Sequence, residues 1–179
     1  MASLEIKVDR TAYRAFFSLV LIPFVVIVVY SAIFRTSELG TKTFLDALLV
    51  GVGFAVYHEI AQFIHQLGHV LAAQATGYPM TGIRYEWVFT YSEYPPDEPP
   101  LPAKVHIQRS LGGVGGATLV LLIGVLLWMQ AGGAANGLTG WLLNFLLFDS
   151  LLLFIASAVL SDGVLFVLQK GWLPARRDA

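Results

Sequence analysis

Two histidines four residues apart, His65 and His69, stand in the run FIHQLGHVLAAQATG. On a helix that spacing places both side chains one turn apart on one face. Two imidazoles so placed can share one metal ion, as in the His-Glu-x-x-His signature of zinc hydrolases. Here the five residues read His65-Gln66-Leu67-Gly68-His69, with glutamine where that signature has glutamate. The plainer reading is a pair of core histidines hydrogen-bonded to neighbouring helices. Asp162 favours the metal. It lies 21 residues past Trp141, just as His65 lies 21 residues past Phe44, and both counts start at the head of an apolar run. At ~1.5 Å rise per residue both side chains sit ~32 Å along their helices, at matching depth if the two run in the same direction. Two histidines and one carboxylate, with a fourth position open to water, make the ligand set of a catalytic Zn²⁺ site.

The elements that must position these groups are apolar helices. Of 179 residues, 56% are hydrophobic and 13% charged, against about 25% charged in an ordinary soluble domain. Mean hydropathy is +0.70. A helix crossing the hydrocarbon core needs about 20 apolar residues. Four stretches qualify, at about 13–34, 44–75, 111–129 and 141–168. Pro23 falls inside the first, where a membrane helix tolerates it with a kink. Trp128, Trp141 and Trp172 fall near span ends, where amphipathic rings anchor. The polar loop 77–109 contains MTGIRYEWVFTYSEY, whose aromatic alternation reads as one or two short strands. PPDEPPLP then interrupts regular structure. The expectation is an all-α polytopic membrane protein, one domain over 1–179, with four transmembrane helices and a short strand-forming loop between the second and third.

Charge supplies the orientation. Lys7, Arg10, Arg14, Arg84, Lys104, Arg109, Lys170, Arg176 and Arg177 fall on one side of this arrangement, and only Arg35 and Lys42 on the other. Cytoplasmic segments carry the excess of Lys and Arg, so both termini and the central loop are expected in the cytoplasm. The net charge of −1 gives no nucleic-acid signal, and the absence of cysteine excludes disulfides and thiolate metal sites. The first apolar run exceeds the ~7–15 residues of a signal-peptide core, so no cleavable signal is expected.

With these residues in view, the stretch from about Phe44 to Leu168 resembles the site-2 protease family of intramembrane zinc metalloproteases. HQLGHVLAAQATG is similar to that family's His-Glu-x-Gly-His helix, with Gly68 and Gly77 at matching places. Leu160-Ser161-Asp162-Gly163 is similar to its Asp-Gly motif, which supplies the third zinc ligand. LGGVGGATLV takes the place of a Gly-Pro-x-x-Asn stretch. The resemblance implies Zn²⁺ held by His65, His69 and Asp162, and hydrolysis of a membrane-spanning protein substrate near the cytoplasmic face. Departures accompany it. Gln66 replaces the general base and cannot accept a proton from zinc-bound water. Phe154 and Ser157 stand at the offsets of a family Asn-x-x-Pro, and Gly116 about where asparagine would be.

No other carboxylate replaces the base. Glu59 shares the stripe of Gln66 but lies ~10.5 Å along the axis. His58 shares the face of His65 two turns away and reads as a lining or partner group. Asp149 reads as a buried hydrogen-bonding group, and His106 as structural or exposed. Two accounts of Gln66 stand side by side: a nearly isosteric change that traps a protease inactive, or a natural pseudoprotease. The second would be a non-catalytic protein that binds membrane helices or serves as a subunit of a membrane complex. The small-residue face Gly112, Gly113, Gly115 and Gly116 permits close helix contact in either case. A transporter is weakly indicated, since no internal repeat is visible.

Overall fold

Where no water can satisfy the backbone, a chain this apolar must close its hydrogen bonds within helices. A computed structural model describes residues 4–34, 41–133 and 137–160. Its elements run β1 (Glu5–Val8), α1 (Arg10–Phe34), α2 (Thr41–Ala75), β2 (Gly82–Glu86), β3 (Phe89–Glu93), α3 (Ala103–Gln130) and α4 (Gly137–Leu160). All four helices are long and apolar enough to cross a membrane. Their outward faces carry exposed leucine, isoleucine, valine and phenylalanine, as at Phe17, Leu21, Leu122 and Phe148. Helix α1 runs unbroken through the buried Pro23.

Helix α2 is the hub, packing against α1, α3 and α4. Its contact with α3 is exceptionally close because glycines line it. A Cβ on Gly68 or on Gly112 would strike the other's carbonyl oxygen, and one on Gly116 would lie 2.7 Å from the Ile64 oxygen. Only residues without a side chain allow backbones this near. Toward the far end, Ile27, Ala47 and Val50 form a core cluster with Trp141 and Leu142 against it.

The strands form one sheet in the order β1-β2-β3, with β1 parallel to β2 and β2 antiparallel to β3. The hairpin turns through Trp87 and Val88, placing Trp87 at φ 54°, a conformation a bulky L residue adopts only when held there. The Trp87 N–H donates to Thr11 Oγ1 at 3.0 Å and so ties the turn to the start of α1. The hairpin lies along α2. Ile83 packs with Val70, Ala73 and Met80, while Val88 packs against Leu19, Val20, Phe54 and Ala55.

Three expectations change. The chain is not all-α, because β1 completes a three-stranded sheet. Glu5-Ile6-Lys7-Val8 alternates polar and apolar residues, but all four are exposed, so the strand is held by its pairing with β2, far along the chain. The polar loop is shorter than 77–109, because α3 starts at Ala103 rather than at residue 111. Pro102 at its N-cap, φ −58°, begins the helix, and the charged turns that follow carry no hydropathy signal. Helices α1, α2 and α4 also start a few residues earlier than their apolar runs.

Candidate metal and polar site

The close approach of α3 to α2 places backbone carbonyls beside the two histidines. His65 Nδ1 lies 2.9 Å from the Gly113 oxygen, and His69 Nδ1 lies 2.8 Å from the Arg109 oxygen. A carbonyl only accepts, so both rings carry their proton on Nδ1 and present Nε2 as a lone pair. Ser157 agrees with this assignment. Its hydroxyl donates to the Leu153 oxygen at 2.6 Å and is left to accept from His65 Nδ1 at 3.2 Å.

The two Nε2 atoms face each other at 3.3 Å, with the rings edge to face. Two lone pairs so near repel unless a cation, proton or metal, lies between them. Nitrogens ~2.0–2.1 Å from one tetrahedral zinc stand about 3.3–3.4 Å apart. The pair therefore fits a zinc ion, and its carbonyl partners are those that commonly fix metal-binding imidazoles. Gly113 is what makes room: a Cβ there would strike His69 Nε2 and come within 2.7 Å of His65 Cε1. Among the described residues no third histidine, cysteine or carboxylate joins the pair. Asp162, the third ligand expected from the sequence, lies outside the described residues. Helix α4 reaches His65 at Ser157, five residues before Asp162 in the chain.

Gln66 turns away from this pair toward β3 and is 2% exposed. Its Nε2 donates to the Thr90 carbonyl and to Thr90 Oγ1, both at 3.0 Å, while Oε1 accepts from Ser92 Oγ at 2.9 Å. Thr90 Oγ1 passes its own proton to Gln62 Oε1 at 3.0 Å. Gln62 and Gln66, one turn apart on α2, thus engage Thr90 and Ser92, two apart on β3. Tyr85, opposite Thr90, turns its carbonyl to β1, where it accepts from the Asp9 N–H at 2.9 Å, so the antiparallel alternation turns the Thr90 carbonyl to the edge of β3 away from β2. Gln66 caps that edge.

A cavity of about 630 Å³ joins these groups, with His65, His69, Gln66, Ser92, Ser157 and Asp149 among its lining. At one end stands Arg109, counted in the sequence only as an orienting charge. Its side chain is 5% exposed and grips Glu98 with two bonds, Nη1 to Oε2 at 3.0 Å and Nη2 to Oε1 at 2.5 Å. Nη2 also donates to the Tyr78 oxygen at 2.6 Å, and the guanidinium lies 4.1 Å from the Tyr94 ring centre. Arg109 thereby pins the proline-rich segment with its side chain and His69 with its carbonyl. The bonds from Arg109 hold the Glu98 carboxyl below its usual range.

The remaining sequence candidates separate. His58 and Asp149 pair with each other at 2.9 Å. His106 lines the cavity, and Glu59 does not. Phe154 packs on the cluster of Ala61, Ala117, Val120 and Leu153, and Gly116 serves helix contact. No family model matches the chain, and neither does any curated protein or solved structure.

Proposed function

We propose that this chain is a membrane-embedded, non-hydrolytic counterpart of the site-2 proteases, which holds Zn²⁺ without using it to cut peptide bonds. The observation that carries this reading is the state of Gln66. A general base must be a carboxylate free to take a proton from water. Gln66 is an amide whose NH₂ and carbonyl are both engaged by β3, and the Thr90 carbonyl opposite it requires a donor. The surroundings suit glutamine and would repel a carboxylate, which favours a native pseudoprotease over a protease disabled at one position.

In this reading His65, His69 and Asp162 hold the metal. Bound zinc polarises a carbonyl oxygen and acidifies a water. The Gly113 and Arg109 carbonyls keep both Nε2 atoms directed at it, and Ser157 steadies His65. The partner is a membrane-spanning protein, met through the helices' exposed apolar faces, and the chain serves as a helix-binding protein or a subunit of a membrane complex in the lipid bilayer. Both termini and the hairpin face the cytoplasm, as the nine-to-two distribution of Lys and Arg supports.

Elemental analysis of purified protein tests the metal. About one zinc per chain is expected, falling to background in His65→Ala and in Asp162→Asn. A zinc-free parent from zinc-replete medium, or undiminished zinc in both variants, overturns the metal assignment. Zinc-dependent cleavage of a spanning peptide by the unaltered chain overturns the non-hydrolytic reading.

A further inference from the structure

About two turns from the His65–His69 pair, a third histidine of α2 is held in a different way. His58 Nδ1 lies 2.9 Å from Asp149 Oδ1 on α4, and His58 Nε2 lies 3.1 Å from the Val88 carbonyl at the hairpin turn. Both partners are acceptors, so both ring nitrogens donate, and a ring that donates twice is an imidazolium. The arrangement is an ion pair whose side chains are 12% and 10% exposed. Asp149 depends on it wholly, because its other oxygen, Oδ2, is buried and has no hydrogen-bond partner.

We propose that His58 is a proton-operated latch: with the proton bound it ties Val88 of the hairpin turn to α2 and α4, and without it that tie is released. Removing one proton leaves a lone pair on one of the two nitrogens. If that nitrogen is Nε2, it faces the Val88 carbonyl, acceptor against acceptor. If it is Nδ1, it faces the carboxylate and leaves Asp149 a buried charge without compensation, which is strongly unfavourable. The neutral ring therefore keeps Asp149 and gives up Val88. The turn retains the apolar contacts of Val88 with Leu19, Val20 and Phe54 and its Trp87–Thr11 bond to α1, but Val88 loses its polar tie to α2. Because β3 walls the cavity that reaches His65 and His69, release at Val88 frees the turn end of that wall, while Thr90 and Ser92 stay bonded to Gln62 and Gln66. The latch rests on His58, Asp149 and Val88 alone and stands whether or not zinc binds.

Two carboxylates neighbour His58: Asp149 faces it from α4, and Glu59 adjoins it on α2. On β2, Tyr85 stays neutral, its phenol pushed up to about 12 by burial and then by the Glu59 carboxylate. Helix α3 has no titratable residue between Arg109 and Gln130, and α1 has only Tyr30 beyond Arg14.

Spin labels report the turn's position. Trp87 and Phe148 are exposed and the chain has no cysteine, so Trp87→Cys with Phe148→Cys places one label at the turn and one on α4. In lipid nanodiscs, pulsed dipolar spectroscopy should give one narrow distance at acid pH. A longer, broader population should replace it as pH rises, with the steepness of a single proton. Asp149→Asn should move the midpoint to lower pH by about 1–3 units, and His58→Gln should remove the transition. A distance distribution unchanged from acid to alkaline pH in the unsubstituted-site protein overturns the latch, as does a transition that persists in His58→Gln. Should those variants not fold, nitrogen-15 shifts of the parent's imidazoles decide the matter. Both His58 nitrogens must read as protonated where the distance is short, and an unprotonated nitrogen there refutes the proposal.

Discussion

Changing Gln66 to glutamate asks the most direct question of this molecule. The substitution alters almost no volume, so its effect is one of hydrogen-bond polarity. Glutamine donates twice from Nε2, to the Thr90 carbonyl and to Thr90 Oγ1, each at 3.0 Å. A carboxylate donates to neither. Thr90 Oγ1 can rotate its proton away from Gln62 and give it to the new carboxylate, which restores one contact and orphans the Gln62 oxygen. The Thr90 carbonyl has no such recourse and faces a negative oxygen at the same place. A buried polar group left unsatisfied costs about 1–3 kcal/mol, and more where charge is involved. Gln66→Glu should therefore destabilise the fold by roughly 2–4 kcal/mol at neutral pH. The deficit should shrink in acid, where a carboxylic acid can again donate to Thr90. Denaturant-induced unfolding in detergent measures the first effect, and cleavage of a fluorogenic spanning peptide, with and without chelator, measures the second. The expected result is a less stable protein that still does not cut. A Gln66→Glu protein as stable as its parent, with chelator-sensitive proteolysis, would show that the position is built for a carboxylate and would refute the reasoning.

Other consequences can be checked independently. Gly113→Ala should displace both imidazoles, abolish zinc retention and destabilise the fold by about 1–3 kcal/mol, as overpacking does; Gly115→Ala, whose Cβ meets nothing within 4 Å, should leave zinc content and unfolding midpoint unchanged. The Glu98 carboxyl sits below its ordinary value of 4.5 because Arg109 bonds it, so its contribution to stability is present above 4.5 and lost as pH falls through the lower folded-state value. Glu98→Gln should flatten that acid limb of the unfolding curve, and an unchanged limb would count against the assigned grip. A cysteine at Asp97 should react with an impermeant thiol reagent only when the cytoplasmic face is opened; labelling in intact cells would reverse the proposed orientation.

Much of this architecture was legible in the chain because it depends on local composition. Four apolar runs of sufficient length become four helices wherever backbone groups must be satisfied internally. The alternation in MTGIRYEWVFTYSEY sufficed for β2 and β3, and the spacing of His65 and His69 sufficed to place two imidazoles on one face. The pairings that give those residues their chemical character join positions far apart, and packing alone made them. Ser157 reaches His65 across 92 residues, and Asp149 reaches His58 across 91. No local pattern marks which carbonyl will fix a ring's tautomer, so the convergence of the two Nε2 atoms became visible only once α3 lay against α2. Arg109 read only as an orienting charge because sequence shows the sign of a group and not its burial. Gln66 read as the loss of a base; its environment shows an amide matched at both ends to β3. Hydrophobic periodicity is a property of neighbours in the chain, whereas hydrogen-bond complementarity belongs to neighbours in space, and the candidate site is made of the second kind.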